Sequence, residues 1–222
     1  MKKYKVVAFD VDGTLIKETC WEIIHRHFKI PWEDTQRNIE EYCDGKINFP
    51  QLMRREIELW KIRGELPCIG EVQRALQYYT LIRNAKEAVN KLKKEGYTVI
   101  LVTYGLDILA EKIAKEIGAD RVFANSLKLD GEGRLTGDQV TRVALGRKSE
   151  ILSEISREMD VPLSQFVVVG DSKYDLDMFK IAGLRIALNP KDEEIRKAAD
   201  IVVETEDLND LLSTLTVHIS RG

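Results

Sequence analysis

Short runs of consecutive apolar residues alternate along the chain with segments in which apolar residues recur every three or four positions. The runs at 4–9, 98–103 and 166–170 show no polar alternation, which is typical of strands buried on both faces of a parallel sheet. The three- and four-residue spacing between the runs predicts amphipathic helices. The pattern therefore predicts an α/β fold with a doubly wound, mainly parallel sheet.

Turn and cap residues set the expected element boundaries. A helix over 84–95 is expected to begin at Asn84, a favourable N-cap, and to stop at Gly96. A hairpin is expected to turn at Asp130-Gly131. The other predicted elements are helix 107–117, helix 147–159, strand 166–170, helix 175–182, strand 185–189, helix 191–199, strand 201–204 and a last helix from 207 to about 215.

One long segment departs from this alternation. Between residues 17 and 80, amphipathic helical stretches follow one another without a strand, and Pro and Gly residues separate them. We expect a helical domain over 17–80, inserted after the first strand, and an α/β core formed by 1–16 and 81–222. Its tryptophans lie at helical spacing among apolar residues and are expected to pack inside it: Trp21, Trp32 and Trp60.

Composition and charge narrow the function classes. The chain of 222 residues is 44% hydrophobic and 32% charged, and its formal net charge of -3 gives no basic excess for nucleic-acid binding. No apolar run approaches the roughly 18 residues of a membrane span. Three cysteines without C-x-x-C spacing suggest neither a disulfide framework nor a zinc site. We expect a cytoplasmic protein, monomer or homodimer, that binds neither nucleic acid nor membranes.

Acidic residues follow two of the predicted buried strands. Asp10 ends the first strand with Asp12 two residues on, and Asp171 and Asp175 follow the strand at 166–170. The carboxyl ends of parallel strands share one sheet edge, where ligands bind. Two like charges about 4 Å apart repel by about 4 kcal/mol, against a total stability of about 5–15 kcal/mol. The group therefore needs protonation, a basic side chain or a bound cation, and its hard oxygen ligands suit Mg²⁺.

A hydroxyl and an ammonium group are expected at the same edge. Thr103 ends the strand at 98–103, and Lys148 begins the helix that leads to the strand at 166–170. A metal site that also binds phosphate is typical of phosphoryl transfer. The predicted phosphate-binding residues are Thr103, Tyr104, Gly105 and Lys148.

Each carboxylate then has an expected role. Asp10 is the expected nucleophile, because carboxylates can form aspartyl-phosphate intermediates. Asp12 is placed to protonate the leaving oxygen and later to activate water, which requires a pKa above the usual value of about 3.9. The predicted catalytic residues are Asp10, Asp12, Thr103 and Lys148, and the predicted metal ligands are Asp10, Asp12, Asp171 and Asp175.

These residues lie in segments that are recognisable. DVDGT, VILVT and VVVGDSKYD, together with Lys148, resemble the four motifs of the haloacid dehalogenase superfamily over the whole chain. The second aspartate, Asp12, is typical of the phosphatase and phosphomutase branch of this superfamily, because the dehalogenases lack an aspartate at this position. GKINF, FANSL and AADIVVE resemble phosphoserine phosphatases in particular. The resemblance implies Mg²⁺, a phospho-Asp10 intermediate, a small phosphomonoester substrate and a helical cap that closes over it.

The residues for substrate specificity depart from that resemblance. The glutamate that phosphoserine phosphatases use for the substrate ammonium group falls at Thr19, beside Glu18. Their arginine for the substrate carboxylate falls in the Arg54-Arg55-Glu56 segment, where the position expected to be Arg is Glu56. The catalytic residues match the family pattern and these do not. The predicted specificity residues are Glu18, Thr19, Arg54 and Glu56.

Two alternatives to a phosphatase stay open from the sequence. A phosphotransferase or phosphomutase of the same superfamily would pass the phosphoryl group to an alcohol instead of water. A signalling receiver domain would use the phospho-aspartate as its message. Receivers place the acceptor aspartate later in the chain and lack the helical insertion, and Asp12 would speed a dephosphorylation that a switch avoids.

Overall fold

A single sheet organises the computed structural model, which describes residues 3–220. Its strands are β1 (Val6–Phe9), β2 (Thr98–Leu106), β3 (Arg121–Leu129), β4 (Leu135–Val140), β5 (Phe166–Gly170), β6 (Leu184–Leu188) and β7 (Ile201–Val203). The order across the sheet is β4-β3-β2-β1-β5-β6-β7, and every neighbouring pair is parallel except β3 and β4. The predicted doubly wound α/β fold is confirmed.

Helices cover both faces of this sheet. They are α1 (Cys20–Phe28), α2 (Trp32–Cys43), α3 (Phe49–Glu58), α4 (Ile69–Ala75), α5 (Ala85–Lys94), α6 (Asp107–Ile117), α7 (Lys148–Met159), α8 (Leu176–Phe179), α9 (Glu193–Ala198) and α10 (Leu208–Ser220). The first four lie between β1 and β2, where the sequence predicts the helical segment. The division of the chain into core and cap domains stays a prediction.

Each central strand contributes to two hydrophobic cores. Val7 and Phe9 of β1 pack in the core on one face, and Val6 and Ala8 pack in the core on the other. All four are fully buried, because successive side chains of a strand point to opposite faces. This double burial explains why the strand shows no polar alternation.

Several local predictions need correction. Asn84 precedes α5 as predicted but does not cap it: its φ is +58° and its side chain donates a hydrogen bond to Asp207 at 2.7 Å. The expected helix over 175–182 is a short 3₁₀ turn followed by α8. Trp60 is fully buried as expected, but Trp32 is 60% exposed, so its predicted packing is wrong.

The predicted hairpin is confirmed. The hairpin of β3 and β4 turns at Asp130, whose Oδ1 accepts hydrogen bonds from the backbone N–H groups of Glu132 and Arg134 at 2.9 Å. Within residues 3–220, none of the helices combines the length and the apolar character needed to cross a bilayer.

The loop before β6 depends on one close backbone approach. The Gly183 N–H donates to the carbonyl of Phe166 at 3.0 Å, and a Cβ at Gly183 would lie 1.8 Å from the carbonyl oxygen of Ser164. We predict that Gly183→Ala lowers the free energy of unfolding by about 1–3 kcal/mol, because neither backbone can move away without losing hydrogen bonds. Urea unfolding measures this. The control is Gly131→Ala, where a Cβ has no neighbour within 4 Å; equal losses in both variants would contradict the prediction.

Candidate active site

The order in which strands are added to the sheet reverses at β1 and β5. β2 and β3 are added on one side of β1, and β5, β6 and β7 on the other. Side chains at the carboxyl ends of β1, β2 and β5 therefore emerge next to one another at a topological switch point. Asp10 and Asp171 directly follow β1 and β5 there. Thr103 does not end its strand as predicted, because β2 continues to Leu106, but it lies near that end. All three residues are buried.

Lys148 lies between two carboxylates. Its Nζ is 2.5 Å from Oδ1 of Asp10 and 2.6 Å from Oδ1 of Asp175, and all three side chains are almost completely buried. Thr14 donates a further hydrogen bond to Oδ2 of Asp10 at 3.0 Å. Burial lowers the pKa of the Lys148 ammonium group, but Asp10 and Asp175 raise it by more, so the pKa lies above its ordinary value and the group stays charged.

Asp10 itself lies in a strongly negative environment. Burial raises the pKa of its carboxyl group, Lys148 lowers it, and the charges of Asp175 and Asp171 raise it again, with a net result well above the ordinary value. The positive charge of Lys148 thus does not offset the effects of burial and of the neighbouring carboxylates. The site therefore has the electrostatic character of one that binds a cation.

Asp12 is held by the start of α1 and by β2. Its Oδ1 accepts a hydrogen bond from the backbone N–H of Cys20 at 2.9 Å, and the Thr103 hydroxyl donates to its Oδ2 at 3.4 Å. Burial raises the pKa of the Asp12 carboxyl to about 6, against the opposing effect of the Cys20 N–H. This direction agrees with the predicted rise, and a pKa near this value suits a general acid and base.

Gly105 leaves room for Asp12. A Cβ at this position would lie 2.5 Å from Oδ2 of Asp12, closer than side-chain atoms approach one another. The backbone N–H of Gly105 donates to the Thr103 hydroxyl oxygen at 2.9 Å and so orients that hydroxyl towards Asp12. Thr103, Gly105 and Asp12 thus form one connected group.

Tyr104 connects two loops at the site and contacts Lys148. Its hydroxyl donates to the carbonyl of Tyr174 at 2.9 Å and accepts from the backbone N–H of Gly146 at 3.0 Å. The Nζ of Lys148 lies 4.6 Å from the centre of the Tyr104 ring, a cation–π distance. The side chain therefore holds together the loops before α7 and α8 and positions Lys148, and it leaves only its backbone amide to the predicted phosphate site.

Three carboxylates could hold a metal ion together. Oxygens of Asp10, Asp171 and Asp175 lie within 4.8 Å of one another. Asp171 Oδ2 is buried and forms an ion pair with Lys191 at 2.9 Å. Burial, together with the charge of Asp175, raises the pKa of Asp171. Asp12, the fourth predicted ligand, is not one of this group.

The charges around the site leave a deficit of positive charge. Four carboxylates face the two ammonium groups of Lys148 and Lys191 within the described part of the chain. Two negative charges are left over when all six groups are ionised, which matches the charge of a divalent cation. Such a cluster of hard oxygen ligands fits Mg²⁺, which is bound by one or two carboxylates and shares a phosphate with the protein.

A cavity of about 430 Å³ opens above these residues. Asp10, Asp12, Asp171 and Lys148 line one part of it, and side chains of α1, α2 and α3 line the rest. A cavity of this volume holds a small organic molecule.

The four predicted specificity residues divide into two pairs. Thr19 and Glu56 line the cavity, although the Thr19 hydroxyl also caps α1 by accepting from the Glu22 N–H at 3.1 Å. Glu18 accepts hydrogen bonds from the backbone and hydroxyl of Thr80 at 3.0 and 2.9 Å. Arg54 pairs with Asp138 of β4 at 2.5 Å. Glu18 and Arg54 do not line the cavity, so they are not part of the site.

Comparison with known proteins agrees with this geometry. The model of the haloacid dehalogenase-like hydrolases matches residues 7–180, which contain every residue of the acidic group and Lys148. The chain belongs to this family. Its resemblance to the haloacid dehalogenase superfamily is therefore confirmed, and with it the prediction of an enzyme instead of a signalling receiver.

Relatives within the family narrow the class of hydrolase. The chain is 37% identical to the phosphoserine phosphatase of Methanocaldococcus jannaschii over 212 residues, covering 95% of this chain and 97% of that protein. It is 30% identical to that of Wolinella succinogenes, with 95% and 100% coverage. A solved phosphoserine phosphatase with a phospho-aspartyl intermediate analogue superposes with a TM-score of 0.80 at 34% identity, covering 96% of this chain and 99% of that one. The chain is a phosphoserine phosphatase-like hydrolase.

Two residues of this hydrolase site were not predicted from the sequence. Lys191 follows β6 and pairs with Asp171, so the rule that placed the aspartates at the carboxyl edge could have found it. His25 lines the cavity from α1. The only sequence signal for it was its position two residues before His27, and that spacing does not point to a shared site.

Proposed function

We propose that this hydrolase removes the phosphoryl group from a small phosphomonoester through a phospho-Asp10 intermediate, with Mg²⁺ as cofactor. The observation that carries the proposal is the convergence of Asp10, Asp12, Thr103 and Lys148 on one cavity beside the acidic group of Asp171 and Asp175. Helices α1–α4, in the region predicted as 17–80, would form the cap over this cavity.

Asp10 acts as the nucleophile in this proposal. Lys148 and Thr14 bind its two oxygens and fix the direction of the carboxylate. One carboxylate oxygen attacks phosphorus, a P–O bond to Asp10 forms, and the bond between phosphorus and the substrate oxygen breaks. Water then attacks the phospho-aspartate, which releases phosphate and restores Asp10.

Asp12 moves the protons of both steps. Its carboxyl gives a proton to the leaving oxygen and afterwards takes one from the attacking water. The raised pKa of Asp12, about 6, supports this double role because near neutral pH both the protonated and the ionised form of the carboxyl group are populated. The Thr103 hydroxyl and the Cys20 N–H orient the two oxygens of Asp12.

Lys148, Thr103 and the backbone amides after Thr103 would bind the phosphoryl oxygens. Asp10, Asp171 and Asp175 would hold Mg²⁺, with Asp12 near them. Bound Mg²⁺ supplies positive charge against the negative charge of the transferring phosphoryl group. Asp175 also fixes the loop after β5, because its Oδ2 accepts from the N–H groups of Asp171 and Ser172 at 3.0 and 3.2 Å.

The names of the relatives supply the first substrate to test. A substrate-bound phosphoserine phosphatase superposes with a TM-score of 0.81 at 35% identity, covering 96% of this chain and 99% of that one. Phosphoserine is therefore the reference substrate. Water is the proposed acceptor because the family model is that of hydrolases. The cytoplasmic location and the oligomeric state expected from the sequence stay predictions.

Removal of the nucleophile tests the proposal directly. We predict that Asp10→Asn abolishes phosphate release from every phosphomonoester of a small panel, because an amide oxygen is too weak a nucleophile to attack phosphorus. The assay measures phosphate with Mg²⁺ present, and urea unfolding checks that the variant is folded. Asp138→Asn, on the surface of β4, is the control and should keep wild-type rates. A folded Asp10→Asn variant with appreciable turnover would refute the nucleophile assignment.

The proton-transfer role of Asp12 predicts a dependence on the leaving group. Asp12→Asn should lower kcat for an alkyl phosphomonoester by about 10²–10⁴-fold, because the alkoxide leaves without a proton. Formation of the phospho-enzyme from an aryl ester should suffer less, since a phenolate needs less protonation; rapid-quench measurement of phosphate bound to the enzyme follows this step. Wild-type rates with both esters would leave Asp12 without a catalytic role.

Mg²⁺ binding predicts a change in thermal stability that does not depend on activity. At a hundredfold excess over its Kd, Mg²⁺ should stabilise the protein by about 2.7 kcal/mol and raise Tm. Asp171→Asn should remove this gain and leave the metal-free protein no less stable, because it takes one charge out of a crowded acidic group. Glu87→Gln on the surface of α5 is the control and should keep the gain. A wild-type Tm that is indifferent to Mg²⁺ would contradict the proposed ligand set.

A further inference from the structure

The part of the cavity formed by the helical segment differs in chemistry from the acidic part. Its wall is mainly apolar and aromatic, with Trp21, Tyr42, Phe49 and Met53 among the side chains that face it. Trp32 adds an exposed ring at the same cavity. Aromatic faces carry partial negative charge, so such a wall attracts cations as well as apolar groups.

A buried carboxylate lies in this apolar wall. Glu56 of α3 is 4% exposed and lines the cavity. Asn38 donates to its Oε1 at 2.6 Å, but its Oε2 lies 3.5 Å from Nε2 of His25, longer than a good hydrogen bond. Burial raises the pKa of Glu56, with Asn38 and Thr35 opposing this. One oxygen of Glu56 therefore lacks a close partner of opposite charge.

His25 does not supply the missing positive charge. Its side chain is buried, 8% exposed, and its Nδ1 shares a hydrogen bond of 3.1 Å with the Thr35 hydroxyl. Burial lowers the pKa of His25 to about 4, although Glu22 acts to raise it, so the imidazole is neutral near pH 7. Its Nε2 is buried and has no hydrogen-bond partner among residues 3–220. His25 thus leaves its Nε2 without a hydrogen bond beside Glu56, whose carboxylate has no cationic partner among the described residues.

The cations that line the cavity are all at its acidic part. Among the described lining residues the only Lys or Arg side chains are Lys148 and Lys191, and both are paired with aspartates. Glu22 lines the cavity as well and adds a second negative charge, which acts on both His25 and Lys191. A ligand carboxylate in this region would meet Glu56 with no positive side chain to pair with, which is unfavourable in a buried site.

We propose that Glu56 and the surrounding aromatic side chains bind an ammonium group, so that the substrate is the phosphate monoester of an amino alcohol without a carboxylate. This inference rests on the proposed phosphatase function. The nitrogen would lie against Glu56 and the Trp21 ring, and the phosphate at Asp10. The P–O bond to the amino alcohol breaks, water gives its hydroxyl to phosphorus and its proton to the alcohol oxygen, and free amino alcohol and inorganic phosphate leave. Thr19, with its hydroxyl capping α1, carries no charge for this nitrogen.

Two pairs of esters test the proposal on the wild-type enzyme with Mg²⁺. Phosphoethanolamine and phosphoserine differ only by a carboxylate, and kcat/KM should be at least about tenfold higher for phosphoethanolamine. Phosphocholine and its uncharged isostere, in which a tert-butyl group replaces trimethylammonium, differ only in charge. Here too the cationic ester should be favoured about tenfold, the value of a charge-assisted contact.

A substitution then assigns the preference to one side chain. Glu56→Gln keeps the shape and the Asn38 contact but removes the charge, and it should lower the preference for phosphocholine over its isostere about tenfold, mainly through KM. The control is Glu58→Gln on the same helix, whose side chain pairs with Lys61 at the surface and does not line the cavity. It should leave the preference unchanged.

The possible results separate this inference from the proposed function. No phosphate release from any ester would overturn the phosphatase proposal itself. Hydrolysis that favours phosphoserine over phosphoethanolamine, or that treats phosphocholine and its isostere alike, would overturn the ammonium site alone. If Glu56→Gln does not fold, the two ester pairs still decide, because they use the wild-type protein. A folded Glu56→Gln variant with the wild-type preference would also overturn the assignment.

Discussion

The ion pairs of Lys148 with Asp10 and Asp175 hold like charges together at the carboxyl edge of the sheet. Without the ammonium group, two carboxylates almost entirely removed from water would face one another with no cation between them. Lys148 reaches them because α7 begins at this edge, and the Ser149 N–H fixes that start by donating to Asp177 at 2.7 Å. The neutralisation is incomplete, because Asp12 and Asp171 share only Lys191 in addition. The remaining negative charge is what makes a divalent cation the natural complement of the site.

Burial of these carboxylates favours the proposed proton transfer but lowers the stability of the folded protein without a cation. It raises the pKa of Asp12 into the range useful for proton transfer and makes contacts to a phosphoryl group stronger than they are in water. The pKa of Asp10 and of Asp171 is raised as well, so folding without a cation works against the ionised forms of both groups. Binding of metal and substrate relieves this, because each brings charges that the folded protein lacks.

The acidic part of the site was predictable because it follows from local patterns. Asp10 and Asp171 come directly after buried strands, and parallel topology brings those strand ends together whatever the loops do. The directions of Glu18, Arg54 and Asn84 were not predictable, since each depends on a partner distant in sequence: Thr80, Asp138 and Asp207. Rotation of a helix by one residue changes which side chain faces a cavity, and a single sequence does not specify that rotation. Trp32 shows the same limit, because helical spacing alone did not distinguish an exposed ring from a packed one.

In the proposed mechanism, catalysis and substrate selection depend on different parts of this chain. Similarity to relatives supports the catalytic part more strongly than the part that selects the substrate. The groups proposed to act on phosphate lie directly after β1 and β5, near the end of β2 and at the start of α7, in the region that the family model matches. The side chains that line the rest of the cavity come from Thr19 before α1 and from α1, α2 and α3. A neutral Thr19 and a buried Glu56 stand there at the positions where the resemblance to phosphoserine phosphatases leads us to expect a glutamate and an arginine. Identity of 37% to a phosphoserine phosphatase therefore supports the reaction more strongly than the substrate. Since binding energy from the remote part of a substrate contributes to turnover, the acidic side chain at position 56 supports the proposal that the same chemistry acts on a different alcohol.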